Sequence, residues 1–284
     1  MTDQQMHTES REVNLLTPSR NLPLYGKRIL VTAPRNYAYR LSEQIIKKGG
    51  LPVFMPTIET CYLSNYTKLD IALNHIDEFD WIVFTSRNGI MAFFHRMNDL
   101  NIPVSMVKKC QLCALGKDAE SLLSFSGKVD LIPTDSSPGG IVAELAKLPQ
   151  INEKKVLLPA PEVIGLPEPD VVPNLITDLQ QLGIEVTRVP AYITQGLDKT
   201  IYGMELNLIR QGIIDVIAFS STAEVESFLT MVNSQSDYEG CIIACFGPYT
   251  TVNAQKLGMN VAIVARNYSS FEGFAEAIAT FFLV

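Results

Sequence analysis

Residues 79–94, FDWIVFTSRNGIMAFF, decide the fold. Trp81, Ile82, Val83 and Phe84 form an apolar run without alternation. A strand covered on both faces of a parallel sheet requires such a run. It enters a hydroxyl-rich turn, Thr85-Ser86, and then a helix with Ile90, Phe94 and Met97 on one stripe. A turn of this kind leaves the first backbone N–H groups of the helix free, beside the positive end of its dipole. That is a place to hold an anion.

The unit recurs at residues 215–229, DVIAFSSTAEVESFL. Asp80 matches Asp215, Phe84 matches Phe219, Thr85-Ser86 matches Ser220-Ser221, and Phe93 matches Phe228. Val225, Phe228, Leu229 and Val232 keep helical spacing, and Ser221 and Glu224 stand at capping-box separation.

Two further blocks also come twice. KRILVTAP at 27–34 is echoed by KKVLLPAP at 154–161. After the first copy, a helix is expected over about residues 37–48, stopped by Gly49-Gly50, then a strand at 51–55 closed by Pro56. After the second, a helix is expected over about 173–182, then a strand at 184–189 closed by Pro190. CQLCALG at 110–116 matches CIIACFG at 241–247, with helix ends at Gly127 and Gly258 and closing helices at 141–148 and 274–282. The expected architecture is α/β, in two similar lobes of about five strands each. A tandem boundary near Gln150 fits these repeats, and so does a swapped arrangement in which the first βαβ unit joins the last two blocks.

With 284 residues, 47% of them hydrophobic and 19% charged, the chain can bury two cores of ordinary domain size. No apolar run approaches the roughly 18 residues of a membrane span. Residues 1–25 are expected to be a flexible leader rather than a secretory signal, which places the protein in the cytoplasm. The net charge of −7, without a basic patch, argues against nucleic acid and against long-range attraction of an anionic ligand. Five cysteines, an odd number, fit a reducing compartment.

Several motifs reduce to structure. Cys110-x-x-Cys113 lies in a strand-like run without a second pair, so buried core cysteines are expected there and at Cys241 and Cys245. His7, His75 and His95 have no ligand spacing, and Ser105-x-x-Lys108 lacks the companions of an acyl-enzyme site. No metal or organic cofactor is expected. The turns with Thr85, Ser86, Arg87 and Asn88, with Ser220, Ser221 and Thr222, and with Gly247, Pro248 and Thr250 remain as substrate-binding candidates. Arg35 and Lys117 are nearby cations.

In order and spacing, ILVTAPR, DWIVFTSRNG, VTRVPAYIT and FGPYT resemble the uroporphyrinogen-III synthase family from about residue 26 to 284. The style of the opening is most similar to photosynthetic-bacterial members. The resemblance implies two flavodoxin-like parallel-sheet lobes, residues 26–58 plus 196–284 and residues 60–192. A two-segment hinge near residues 59–60 and 192–194 would join them, with a ligand cleft between. It implies a cofactor-independent enzyme that closes linear hydroxymethylbilane into uroporphyrinogen III, losing water and inverting the last ring, in heme and chlorophyll biosynthesis. It also implies a monomer away from membranes, in transient contact with the preceding pathway enzyme. Tyr192, in PAYIT, matches the family's proposed acid. Ala160-Pro161-Glu162 stand where many members carry an Arg. A non-catalytic bilobal sensor of a polycarboxylate tetrapyrrole is the alternative.

Overall fold

The apolar runs become the strands of two sheets. The computed structural model describes residues 21–268 and 270–283. Along them lie β1 (Arg28–Val31), α1 (Arg35–Lys47), β2 (Leu51–Phe54), β3 (Ile58–Cys61), α2 (Thr67–Asn74), β4 (Trp81–Phe84) and α3 (Arg87–Asp99). Then come β5 (Gln111–Ala114), α4 (Asp118–Ser126), α5 (Pro138–Leu145), β6 (Lys155–Ile164), α6 (Val171–Gln181) and β7 (Glu185–Gly196). The chain continues through α7 (Gly203–Arg210), β8 (Val216–Phe219), α8 (Thr222–Met231), β9 (Ile242–Cys245), α9 (Pro248–Lys256), β10 (Val261–Val264) and α10 (Phe271–Phe281).

The first sheet has the order β10-β9-β8-β1-β2 and is parallel throughout. Counted from β1, this is the 2-1-3-4-5 order of flavodoxin-like folds. The second sheet runs β3-β7-β6-β4-β5. Counted from β6 it repeats that order, with the fifth strand reduced to a parallel bridge between Cys113 and Leu131. The first βαβ unit therefore pairs with the last three strands, β8 to β10.

Each sheet is buried on both faces, as unalternated strands demand. Ile29, Val31 and Ala218 pack on α1 and α10, whereas Leu30, Ile217 and Phe219 pack on α7, α8 and α9. In the second sheet Ile82, Phe84 and Leu112 face α2, α3 and α4, whereas Trp81, Val83 and Val156 face α5 and α6. An aspartate before the third strand of each lobe ties down the first. Asp215 accepts from Arg28 N at 2.8 Å and pairs with Lys27 Nζ at 3.2 Å. Asp80 accepts from Lys155 N at 2.8 Å and pairs with Lys154 Nζ at 2.9 Å.

β3 and the end of β7 pair antiparallel, Ile58 with Gly196 through Cys61 with Ile193. β7 thus runs through Pro190 rather than stopping there. A bulge at Ala191 shifts the β6–β7 register, and the other edge of β7 is unpaired until Ile193, so the missing N–H costs no ladder bond. The leader expected over 1–25 lies for residues 1–20 outside the described residues, and at its end the chain is already folded. Leu24 is fully buried against α1, and its N–H donates to the Lys48 carbonyl at 2.9 Å. Cys110, Cys113 and Cys245 are core residues, with thiols pushed up by burial to about 11, about 12 and about 12. Cys241 is half-buried, pushed up to about 11, and donates to the Ile214 carbonyl as Cys110 does to Ile76.

Candidate functional site at the carboxyl ends of the strands

A strand buried on both faces ends where its helix begins, so the polar residues of each lobe collect at that rim. In the second-sheet lobe, Ser86 caps α3, its Oγ accepting from Gly89 N at 3.1 Å. Tyr192 reaches the same hydroxyl from β7, with 3.0 Å between the two oxygens. The ring is 8% exposed, and burial raises the phenol above its ordinary pKa. The Ser86 hydrogen bond acts against that shift, and the charge of Asp118 adds to it. Arg87 opens α3 and lies 3.3 Å from Asp118, so its charge is already matched. Burial nevertheless raises the Asp118 carboxyl. Asn88 donates to Thr60 Oγ1 at 3.4 Å, joining α3 to β3, and Thr85 is half-buried beside it.

In the first-sheet lobe, Ser221 caps α8 and accepts from Glu224 N at 3.3 Å. Glu224 has no exposed surface. Its carboxyl takes the hydroxyls of Ser220 and Ser221, the latter at 3.0 Å, and the Ser220 N–H at 2.8 Å. Thr32, at the end of β1, stands 2.7 Å from it. Burial raises this acid above the ordinary glutamate range, and the hydrogen bonds from Ser220, Thr32 and Ser221 resist the rise. Thr222 is half-buried at the head of α8. Gly247 caps α9 without a side chain, and Pro248 follows it. Thr250 is only 5% exposed, which makes it part of the helix packing more than of the rim.

The two rims touch. Gly139 N, at the start of α5, donates to Tyr249 Oη of α9 at 3.2 Å, and Tyr268 Oη lies 3.5 Å from Asp135. Tyr37, in the first turn of α1, lies in the fields of both Glu224 and Tyr192, and burial holds its phenol well above the ordinary value. The expected site residues therefore form two groups, Thr85, Ser86, Arg87, Asn88 and Tyr192 in one and Ser220, Ser221, Thr222, Gly247, Pro248 and Thr250 in the other.

Sequence reading missed Tyr37, Asp118, Tyr249 and the burial of Glu224. It also missed a matched pair of caps. Ser137 accepts from Gly140 N at 2.9 Å and Ser270 from Gly273 N at 3.2 Å. Each glycine permits a close approach, since a Cβ would lie 2.0 Å from the Asp135 carbonyl oxygen or 2.2 Å from that of Asn267. Ser-x-x-Gly at corresponding places in the two halves was the available signal.

The model of the family described as uroporphyrinogen-III synthase HemD matches residues 39–274. A uroporphyrinogen-III synthase of Synechococcus elongatus is 29% identical over 263 residues, covering 90% of this chain and 96% of that protein. Among solved structures, a mutant uroporphyrinogen III synthase of Thermus thermophilus superposes with a TM-score of 0.65 at 17% identity, over 89% of this chain and 99% of that one. The uroporphyrinogen-III synthetase of Helicobacter pylori gives 0.56 at 18% identity, over 90% and 99%. The family match spans most of the chain, and both solved structures share its two-lobed fold, so the chain belongs to the uroporphyrinogen-III synthase family.

Proposed function

We propose that this synthase binds hydroxymethylbilane between the two rims and that Tyr192 protonates the departing hydroxyl. The observation that carries the reading is the Tyr192–Ser86 contact at 3.0 Å, in a buried phenol at the rim. A raised phenol keeps its proton at neutral pH and can lend it to a leaving hydroxide. The substrate needs little more activation, because the pyrrole nitrogen pushes electrons toward the leaving group. What it needs is geometry. Unassisted closure joins the unsubstituted end of the last ring, so the protein must present the substituted carbon instead. Holding a flexible chain in that arrangement supplies several kcal/mol without a reactive side chain.

The carboxylates of the substrate would be held by the N–H groups opening α3, α8 and α9, which suits a chain of net charge −7. The β3–β7 ladder is the proposed hinge between residues 26–58 plus 196–284 and residues 60–192, because it is the place where the chain passes twice between the sheets. Contact of Tyr249 with Gly139 would then belong to a closed arrangement. A cytoplasmic monomer that takes its substrate in transient contact with the preceding enzyme fits this scheme. Purified protein incubated with hydroxymethylbilane, with isomers I and III resolved, tests the reading. Formation of isomer I alone, at the unassisted rate, would sink it.

A further inference from the structure

The hydroxyls of Ser220 and Ser221 invite assignment as donors to a substrate carboxylate, but their protons are already committed. Both hydroxyls donate to Oε1 of Glu224. Oε2 receives the Ser220 N–H at 2.8 Å and lies 2.7 Å from Thr32 Oγ1. Thr32 Oγ1 also lies 2.9 Å from the Ala218 carbonyl oxygen, so one proton serves two acceptors. With Glu224 ionised, Thr32 donates to the carboxylate. With Glu224 protonated on Oε2, the acid donates to Thr32 and Thr32 donates to Ala218. Oε2 is the oxygen with an acceptor waiting in Thr32, and with the proton there Oε1 holds only lone pairs, as it does in the ionised acid, so both serine protons stay turned toward Glu224.

A hydroxyl whose proton is taken offers lone pairs alone. Ser221 uses one of these on Glu224 N. Ser220 caps no helix, and it is half-buried above a glutamate with no exposure. Its oxygen is therefore an acceptor at the rim, and it repels a carboxylate. A linear tetrapyrrole offers such an acceptor its pyrrole N–H groups, one on every ring, since its single hydroxyl is proposed to face Tyr192 at the other rim.

We infer that Ser220, with Ser221 beside it, accepts hydrogen bonds from pyrrole N–H groups of the ligand, and that Glu224 is the positioning residue that fixes this polarity. The inference rests on the synthase reading and deepens it. Carboxylate recognition is left to backbone N–H groups, and the hydroxyls of this turn read the ring nitrogens.

Two probes separate these roles, a dipyrromethane bearing carboxylate side chains and its N,N′-dimethyl analogue. They differ only at nitrogen. The wild type should prefer the N–H probe by about tenfold, the worth of one or two neutral hydrogen bonds. Ser220→Ala should reduce that preference to within about twofold, with the affinity for the methylated probe unchanged. Ser220→Cys, whose thiol donates but accepts weakly, should do the same and covers the case in which the alanine variant fails to fold. Glu224→Gln should also shrink the preference, because an amide NH₂ facing the serines turns their protons outward. Equal weakening of both probes by Ser220→Ala, or a preference left intact in all three variants, overturns the inference. Cyclisation of hydroxymethylbilane by the wild type, followed in parallel, tests the parent reading on its own.

Discussion

Ser86 and Ser221 cap matching helices in the two lobes, yet they serve different partners. Three residues into the first helix stands Gly89, and three into the second stands Glu224. A Cβ on Gly89 would lie 3.3 Å from the Pro159 carbonyl oxygen and in ordinary contact, 3.9 Å, with the Tyr192 ring, so a side chain longer than a methyl would crowd the ring that reaches Ser86. In the other lobe the glutamate fills the corresponding space and takes both serine protons. On the roles proposed above, one strand–turn–helix unit would serve as a proton donor on one side and an acceptor-lined, backbone-presenting rim on the other. The asymmetry lies in one helical position.

Placing the glutamate in both lobes should break this contrast most severely. Gly89→Glu should lower kcat by about a hundredfold, because it displaces the tyrosine ring and misaligns the α3 start together. Steady-state turnover checks this, and a variant within threefold of wild type would show that the glycine is not what admits Tyr192. Tyr192→Phe removes the proton and keeps the ring, so a loss nearer tenfold is expected with unfolding unchanged. The wild type should show no alkaline fall in kcat below about pH 10, since burial lifts the phenol above its ordinary value. A fall centred near neutrality would assign the proton to another group.

Much of this division was legible in the sequence, and its chemistry was not. The paired Asp80 and Asp215, the apolar runs and the cap serines lie in local patterns, and local patterns survive translation into strands and helix starts. The Tyr192–Ser86 contact joins residues 106 positions apart, and Thr32 meets Glu224 across 192. Nothing in a window of sequence reports such pairs. Glu224 read as an ordinary capping-box acid because the spacing was right, whereas its burial depends on β1 lying beside β8. Pro190 read as a strand end, since the bulge that accommodates it belongs to the pairing with β6. Leu24 looked like leader because one apolar residue has no period.

The glutamate itself gives the next, smaller effect. Its folded pKa is raised, so between the ordinary glutamate value and the raised one the folded protein keeps a proton that the unfolded chain has lost. Stability should therefore fall as pH rises through that window. The titratable groups facing it are Tyr37 of α1 and Cys245 at the end of β9, and its own shift is set by burial and hydrogen bonds, with no cation contributing. Glu224→Gln should flatten the pH dependence measured by urea unfolding, and an equal slope in both proteins would place the titration elsewhere. Arg87→Ala should matter least, a loss of up to about tenfold in kcat/KM, because Asp118 already matches the guanidinium. Loss of nearly all activity from a folded Arg87→Ala protein would move carboxylate recognition from the backbone to that side chain.

The division of labour between the lobes is tested most directly by the isomers that Tyr192→Phe and Ser220→Ala release from hydroxymethylbilane. Loss of the proton donor should slow the reaction and leave isomer III as the product, since the ring is still held for inversion. Loss of the acceptor at the opposite rim should let isomer I appear beside III, because the grip on the ring nitrogens is loosened. The opposite pattern, with isomer I rising in Tyr192→Phe and III alone from a slowed Ser220→Ala, would contradict it.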